Sequence, residues 1–196
     1  ILLDTSASML DQSIVNVIRR RNMADETKKH AAKWQRAIKA IEWLLAKFPL
    51  QSQFQLYSFN GETNTVTNAP IDRWLNISDQ QQLQQAIGNL HQIIPSGGTN
   101  LEAAFRQVSQ LDPLPDNIIL LTDSLPTQGG LNISGNTISG KDRERLFERA
   151  VNTLPQGIPV NILLWPMEGD PIAASAFWKL AQYSSGSFMS PSRDWP

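Results

Sequence analysis

Short apolar runs alternate with longer amphipathic stretches along most of the chain. Six short segments have the length and composition of strands, and they span residues 1–3, 54–59, 63–67, 118–121, 160–165 and 187–189. Most are continuous apolar runs, which are typical of strands buried on both faces in parallel sheets covered by helices. The segment 63–67 follows Asn60-Gly61 closely, so we expect it to form a hairpin with 54–59 as an antiparallel edge strand.

The stretches between these runs carry apolar residues at helical spacing. The clearest example steps by four and three residues through Trp34, Ile38, Ile41, Leu45 and Phe48, and stops before Pro49. Helices are predicted in the same way over residues 34–48, 83–94, 101–111, 142–154 and 172–183. This alternation predicts an α/β fold: a doubly wound, mostly parallel six-stranded sheet with one antiparallel edge strand and helices on both faces.

Composition narrows the possible classes of protein. Of 196 residues, 41% are hydrophobic and 18% are charged, a balance typical of a globular chain rather than a disordered one. The net charge of −1 argues against bulk electrostatic binding of nucleic acid, and the lack of cysteine excludes disulfides and thiolate metal ligands. No apolar run approaches the roughly 18 residues of a membrane span. Since the chain opens inside an apolar run, we expect a single domain over residues 1–196, excised from a longer protein.

Three oxygen-bearing side chains stand at alternate positions directly after the first predicted strand. They form the pattern Asp-x-Ser-x-Ser at Asp4, Ser6 and Ser8. Side chains in a loop that leaves a strand can converge on one point above the sheet edge, and oxygen ligands suit a hard cation such as Mg²⁺. The same residues also cap helices and form turns, so this motif alone leaves a purely structural interpretation open.

Two further motifs favour a metal site over the purely structural interpretation. Residues 95–100 form a glycine-rich loop, Pro-Ser-Gly-Gly-Thr-Asn, which opens a predicted helix at Thr99-Asn100. The buried run that begins at Ile118 delivers Thr122-Asp123 at its carboxyl end. With these three motifs in this order, the whole chain closely resembles the von Willebrand factor A domain, also called the integrin I-type domain. The positions that match the metal-ion-dependent adhesion site of that family are Asp4, Ser6, Ser8, Thr99 and Asp123.

The resemblance implies a role for each matched residue. The hydroxyls of Ser6 and Ser8 would bind a divalent ion directly, and Thr99 would join them directly or through water. Asp4 and Asp123 would act mainly through water. The expected ion is Mg²⁺ or Mn²⁺, ahead of Ca²⁺.

An ion held by neutral hydroxyls and water keeps much of its positive charge. The resemblance therefore implies a protein partner that presents an Asp or Glu carboxylate to an open coordination position. We expect an interaction module with no catalytic residues, no nucleic-acid partner and no membrane contact of its own. The chain is also similar to bacterial members attached to the cell envelope, so a periplasmic or envelope location is expected.

The sequence departs from the family pattern beside the first motif. Met9-Leu10-Asp11 stands where many members have Met-x-Gly, and Ser124 stands where a glycine is common. An insertion covers approximately residues 13–27, for which we predict one or two extra helical turns and a fresh helix start near Asp25 or Thr27. None of these changes removes a matched residue, but the insertion would reshape the surface next to the metal loop.

Two other functions remain open at the level of sequence. A metal-dependent phosphohydrolase would use Asp4 as nucleophile and Asp123 as metal ligand, although Ser6 replaces the second aspartate usual in such enzymes. A structural module with an empty site is the other alternative. The chain contains none of the common phosphate-loop, zinc-protease or serine-hydrolase motifs, which favours the interaction module.

A basic stretch accompanies the predicted helix at 34–48. Residues 19–47 carry nine Lys and Arg against three acidic residues, a local net charge of +6. It could attract an acidic partner, but we interpret it as the solvated outer face of a long helix, because the apolar residues account for the opposite face. His30 and His91 lack partners at zinc-ligand spacing and are expected to be exposed helical residues.

Overall fold

The computed structural model describes residues 1–131, 138–192, 194 and 195. These residues form eight strands: β1 (Leu2–Asp4), β2 (Gln53–Phe54), β3 (Tyr57–Phe59), β4 (Thr63–Thr65), β5 (Leu75–Asn76), β6 (Ile118–Thr122), β7 (Val160–Leu164) and β8 (Phe188–Met189). The same described part of the chain contains seven α-helices: α1 (Ile14–Arg21), α2 (Asp25–Lys29), α3 (Ala32–Lys47), α4 (Gln80–Leu90), α5 (Leu101–Val108), α6 (Gly140–Val151) and α7 (Ala173–Tyr183). A short 3₁₀ turn, Ala7–Leu10, follows β1.

The main sheet has six strands in the order β4-β3-β1-β6-β7-β8. All neighbours are parallel except β4, which pairs antiparallel with β3 and forms the predicted edge hairpin. The predicted fold class is therefore confirmed. β1 lies between β3 and β6, so its carboxyl end is near the middle of the sheet edge.

The sheet is covered on both faces, and neighbouring residues of one strand enter different core layers. Leu2 packs in a layer with Leu101, Phe105 and Phe177 from helices α5 and α7. Leu3 packs in the opposite layer with residues of α3 such as Trp34. Because side chains alternate between faces of a strand, both faces must be apolar, which is why the strands read as continuous apolar runs.

Two of the boundaries that differ from the predictions have an identifiable cause in the structure. The run 54–59 does not form one strand. Its first residue belongs to β2, which pairs antiparallel with β5 outside the main sheet. The switch occurs at Gln55, whose buried side chain accepts the amide N–H of Leu56 at 2.9 Å and donates to the Arg73 carbonyl at 2.8 Å. This side chain satisfies backbone groups that a regular ladder would have paired.

Helix α4 ends at Leu90, four residues before the predicted end at Ile94. Gln92 and Ile93 donate to the carbonyls of Asn89 and Leu90, three residues back, so the last turn tightens instead of continuing as α-helix. Pro95 also disfavours helical backbone at the residue before it. The apolar periodicity thus continues past the point at which the helix stops.

The predicted insertion is helical. It forms α1 and α2, and the second of these starts at Asp25 as expected. The Ser13 side chain caps α1 by accepting the amide N–H of Asn16 at 3.4 Å. Within the described part of the chain, no helix is both long enough and apolar enough to cross a membrane.

Candidate metal centre

Strands β1 and β6 bring two of the predicted site residues to one sheet edge. The strands are parallel neighbours, with Leu2 opposite Leu120 and Leu3 opposite Leu121. Asp4 ends β1, and Asp123 directly follows β6. Since parallel strands end at the same edge, the two carboxylates lie side by side, and both side chains are buried.

Asp4 is held by hydrogen bonds to both of its carboxylate oxygens. Its Oδ1 accepts the amide N–H of Ser6 at 2.8 Å, and its Oδ2 accepts the hydroxyl of Thr122 at 2.7 Å. The first bond closes the tight turn of the motif, and the second ties the loop to β6. Asp4 therefore orients the serine loop above the sheet edge.

The two serine hydroxyls link this loop to Asp123. Ser6 Oγ and Ser8 Oγ lie 2.9 Å apart, and Ser8 Oγ donates to Asp123 Oδ1 at 2.8 Å. Asp4, Ser6, Ser8 and Asp123 thus belong to one hydrogen-bonded cluster, although 115 residues separate Ser8 from Asp123. Four of the five predicted residues are brought together in this way.

Thr99 reaches the same place from the glycine-rich loop. That loop is docked on the serine loop, because Ser96 N–H donates to the Thr5 carbonyl at 2.9 Å and Ala7 N–H donates to the Gly97 carbonyl at 3.1 Å. Thr99 is buried and lines one cleft together with Ser6. Among the described contacts, no hydrogen bond joins its hydroxyl to the other four residues.

The structure explains why glycine stands at both positions of this loop. Gly97 adopts a φ of 75°, in the left-handed region that favours glycine. A Cβ on Gly98 would lie 2.7 Å from Thr127 Oγ1, and that hydroxyl accepts the Thr99 amide at 2.9 Å. The Gly-Gly-Thr sequence therefore allows the loop to approach Thr127 closely enough for its backbone to be held.

Ser6 and Ser8 of the cluster, together with Thr99, line an open cleft with a volume of about 540 Å³. Ile14 and Arg21 of α1 line one side of it, and Thr127 and Gln128 line another. The chain that follows Gln128 leads away from this rim toward residues 132–137, which lie outside the described structure. A larger cavity of about 760 Å³ lies at the opposite end of the sheet, and none of the five predicted residues lines it.

Helix α1 is fixed to the site by contacts on both sides. The Glu168 carboxylate accepts the Ile14 amide at 3.0 Å, and Arg20 Nε donates to Asp11 Oδ2 at 3.1 Å. On its outer face, the side chains of Val15 and Ile18 are 75% and 56% exposed. The insertion therefore presents aliphatic side chains to solvent directly beside the candidate metal centre.

Lys33 belongs to the site, and the sequence interpretation missed it. The basic stretch 19–47 was interpreted as a solvated outer face, and for Lys33 this is wrong. Its side chain is only 2% exposed, and Nζ lies 2.5 Å from Asp123 Oδ2. A usable signal was present, because Lys33 precedes Ala37 by four residues and so lies on the apolar face of α3. His30 and His91 are exposed, as predicted.

Burial in this cluster raises the pKa of Asp4 from its ordinary value of 3.8 to about 7. The main cause is the removal of the carboxylate from water, and the negative charge of Asp123 adds to it. Hydrogen bonds from Ser6 and Thr122 oppose the rise. The site therefore holds a proton that an unfolded chain would release.

This shift predicts a pH-dependent stability of the metal-free protein. Between about pH 4 and about pH 7, the folded chain binds a proton at Asp4 that the unfolded chain has lost, so the free energy of unfolding falls as pH rises. Asp4→Asn removes this dependence, and its stability relative to the unmodified protein should increase across that window. Urea denaturation at several pH values in a chelator measures the difference, and a pH-independent difference would contradict the assignment.

The donor set suits a hard divalent cation. It offers carboxylate and hydroxyl oxygens, which are ligands that Mg²⁺ accepts, and it contains no imidazole or thiolate of the kind preferred by zinc. Among the described residues there is no cluster of three or more His, Cys, Asp or Glu side chains that could hold a metal. Any ion at this site would thus depend on the serine and threonine hydroxyls as well as on the two aspartates.

A sequence profile of one known family matches more than half of the chain. Residues 1–125, which contain all five predicted residues, match the sequence profile of the von Willebrand factor type A domain. A comparison with curated protein sequences gives no match.

Several solved structures share the fold. A von Willebrand factor type A protein from Catenulispora acidiphila superposes with a TM-score of 0.63 at 16% identity, covering 97% of this chain and 37% of that one. The PilB minor pilin from Streptococcus sanguinis gives 0.61 at 15% identity, covering 96% and 55%. The protein BatB from Bacteroides thetaiotaomicron gives 0.53 at 18% identity, covering 97% and 87%. The present chain thus spans less than two thirds of the first two proteins.

Proposed function

Because this chain belongs to the von Willebrand factor type A domain family, we propose that it is a protein-interaction module that requires a divalent cation. The observation that carries the proposal is the single hydrogen-bonded cluster of Asp4, Ser6, Ser8 and Asp123 beneath an open cleft. Thr99 lines the same cleft and completes the proposed set of ligands. The proposed ion is Mg²⁺ or Mn²⁺.

The chemistry of the cluster supports recognition of an acidic group. Hydroxyl ligands carry no charge, so a bound divalent cation would retain an attraction for an external carboxylate. The cleft is open to solvent above Ser6 and Ser8, which leaves room for an Asp or Glu side chain of a partner protein. The role of the chain's own residues is to hold the ion and to position its free side toward the cleft.

The geometry of Asp4 disfavours the phosphohydrolase alternative. A nucleophilic carboxylate needs an oxygen that can approach the substrate, but both oxygens of Asp4 accept hydrogen bonds from Ser6 and Thr122. The side chain is also fully buried. These contacts suit a residue that orients a loop and that acts on an ion from behind its direct ligands.

The insertion helix α1 would define part of the partner surface. Its exposed residues Val15 and Ile18 adjoin the wall formed by Ile14 and Arg21. We propose that a partner places apolar side chains against this helix while its carboxylate enters the cleft. Clustered aliphatic side chains at the surface are typical of protein contact sites.

Removing both serine hydroxyls tests the proposed ligands. We expect Ser6→Ala/Ser8→Ala to weaken Mg²⁺ binding by at least about 100-fold, since the loss of even a group that hydrogen-bonds to a metal ligand typically costs about 10- to 100-fold. Calorimetric titration with Mg²⁺ gives the affinity, and the gain in melting temperature with Mg²⁺ gives an independent measure. The control Ser109→Ala/Ser190→Ala changes two exposed serines outside the site and should bind Mg²⁺ normally. Unchanged affinity in the first variant would refute the site.

The recruitment of a carboxylate needs a separate experiment. Immobilised synthetic peptides that differ only by Asp or Glu against Asn or Gln are probed with the protein in Mg²⁺ or in EDTA. Retention that requires both the acidic side chain and Mg²⁺ is the expected result. Retention that is equal in EDTA would contradict metal-dependent recognition.

A further inference from the structure

Lys33 is the only lysine or arginine side chain among the described residues to contact the five proposed metal-site residues through its own charged group. It lies in the first turn of α3 and is buried. An ammonium group has three N–H donors, and the contacts use all of them. Nζ donates to Asp123 Oδ2 at 2.5 Å, to the Ser8 carbonyl at 3.1 Å and to the Asp11 carbonyl at 3.0 Å. The Met167 sulfur lies further away at 3.9 Å.

These contacts decide which carboxylate oxygen of Asp123 faces the serines. Lys33 occupies Oδ2, and Oδ1 accepts the Ser8 hydroxyl. The same ammonium holds the backbone carbonyl of Ser8, so it fixes the position of the serine loop relative to Asp123. Lys33 is thus placed to orient a proposed ligand without contacting the cleft itself.

The positive charge of Lys33 also changes the electrostatics of the cluster. Asp4 and Asp123 supply two negative charges when ionised, and Lys33 offsets one of them. A nearby fixed positive charge repels a divalent cation, and burial reduces the screening of that repulsion by water. Removing the lysine charge would leave the negative charge of Asp123 buried without a partner. A bound divalent cation would then compensate that charge.

We propose that Lys33 is a positioning residue that orients Asp123 and keeps divalent-cation affinity below what the two carboxylates alone would provide. This inference rests on the proposed function, because it concerns the same site. By reducing the negative charge around the ion, Lys33 leaves more of the ion's charge for an incoming carboxylate. A lower affinity for the metal ion is thereby accompanied by a stronger attraction of the bound ion for a partner carboxylate.

The test compares charge and structure at position 33. Lys33→Met removes the charge with a side chain of similar length, and Lys33→Arg retains the charge. Lys39→Met is the matched control, since Lys39 is an exposed lysine on the same helix. Mg²⁺ and Mn²⁺ affinities are measured by calorimetric titration, and melting temperatures are measured with and without Mg²⁺.

We expect Lys33→Met to lower the melting temperature without metal and yet to tighten Mg²⁺ binding by about tenfold or more, a change of about 1.4 kcal/mol per tenfold. A residue with a merely structural role would weaken binding along with stability. Lys33→Arg keeps the charge and should therefore not tighten Mg²⁺ binding, and Lys39→Met should change neither quantity. If Lys33→Met does not fold without metal, Lys33→Gln keeps hydrogen-bond donors without the charge and serves the same comparison.

The outcomes separate this inference from the proposed function. Mg²⁺ binding by the unmodified protein with equal or weaker binding by folded Lys33→Met and Lys33→Gln overturns the inference alone. Binding by neither the unmodified protein nor the variants overturns both. Binding by the uncharged variants alone supports the effect of Lys33 while overturning a metal-dependent function of the natural chain.

Discussion

Asp123→Asn is expected to destabilise the metal-free protein by about 3–5 kcal/mol and to abolish Mg²⁺ binding. The substitution leaves Lys33 buried at 2% exposure with no negative charge to pair with its ammonium. It also replaces the carboxylate that accepts the Ser8 hydroxyl with a neutral amide, which is a weaker acceptor, while the Thr122–Asp4 bond still ties the serine loop to β6. Urea denaturation in a chelator gives the free energy of unfolding, and calorimetric titration gives the affinity for Mg²⁺.

A second ion pair near the site provides the control. Asp11 pairs with Arg20 at 3.1 Å, but these side chains are 20% and 31% exposed. Because pairs open to water contribute little, Asp11→Asn should lose less than about 1 kcal/mol of stability. If Asp123→Asn costs no more than Asp11→Asn, the buried pair does not have the energetic role assigned to it.

Gly186→Ala is expected to destabilise the fold by about 3 kcal/mol or more, or to prevent folding. Gly186 joins α7 to β8, and its N–H donates to the Ala181 carbonyl at 2.8 Å. A Cβ at this position would lie 2.1 Å from the Val160 carbonyl oxygen and 2.5 Å from its carbon. These are backbone atoms of β7, so relief requires α7 or β8 to move away from the sheet. Thermal denaturation followed by circular dichroism measures the loss.

Gly88→Ala is the matched control, because a Cβ added at Gly88 has no other atom within 4 Å. It lies on the exposed side of α4, where alanine favours helix over glycine by roughly 0.5–1 kcal/mol. Gly88→Ala should therefore raise the melting temperature. A similar loss of stability in both variants would mean that the close approach at Val160 does not cause the effect.

The fold could be predicted from sequence where one physical signal dominated. Leu2 and Leu3 both needed to be apolar because they enter opposite core layers, and that produced a continuous run typical of a parallel strand. The Asn60-Gly61 pair marked the turn to the antiparallel edge strand. For these elements, local pattern and tertiary packing agree.

Two of the misses share a different cause, since each depends on one polar side chain in a nonlocal contact. Gln55 ends the continuity of the run 54–59 by bonding backbone groups with its buried amide. Lys33 carries a charge on the apolar face of a helix, and only its distance from Asp123 explains it. Composition counts Lys33 with the basic surface residues, whereas the fold uses it inside the core.

The grouping of the site residues was accessible from sequence because loops after parallel strands share one edge. Asp4 and Asp123 followed the ends of predicted strands, and the structure places them together. Metal binding by this group stays a prediction. Thr99 shows the limit of the reasoning, because its burial follows from the docking of the glycine-rich loop rather than from any strand.

The contacts of Lys33 with Ser8 and Asp11 imply that the surface beside the cleft can vary while the buried cluster stays the same. The two ends of the segment between Asp11 and Lys33 are in contact, because the Lys33 ammonium donates to the Asp11 carbonyl. Most of the segment between these two residues, including α1 and α2, lies at the surface, although Val17 and Ala31 are buried. A segment of different length or composition there would change the surface beside the cleft while leaving the cluster and the sheet beneath it in place.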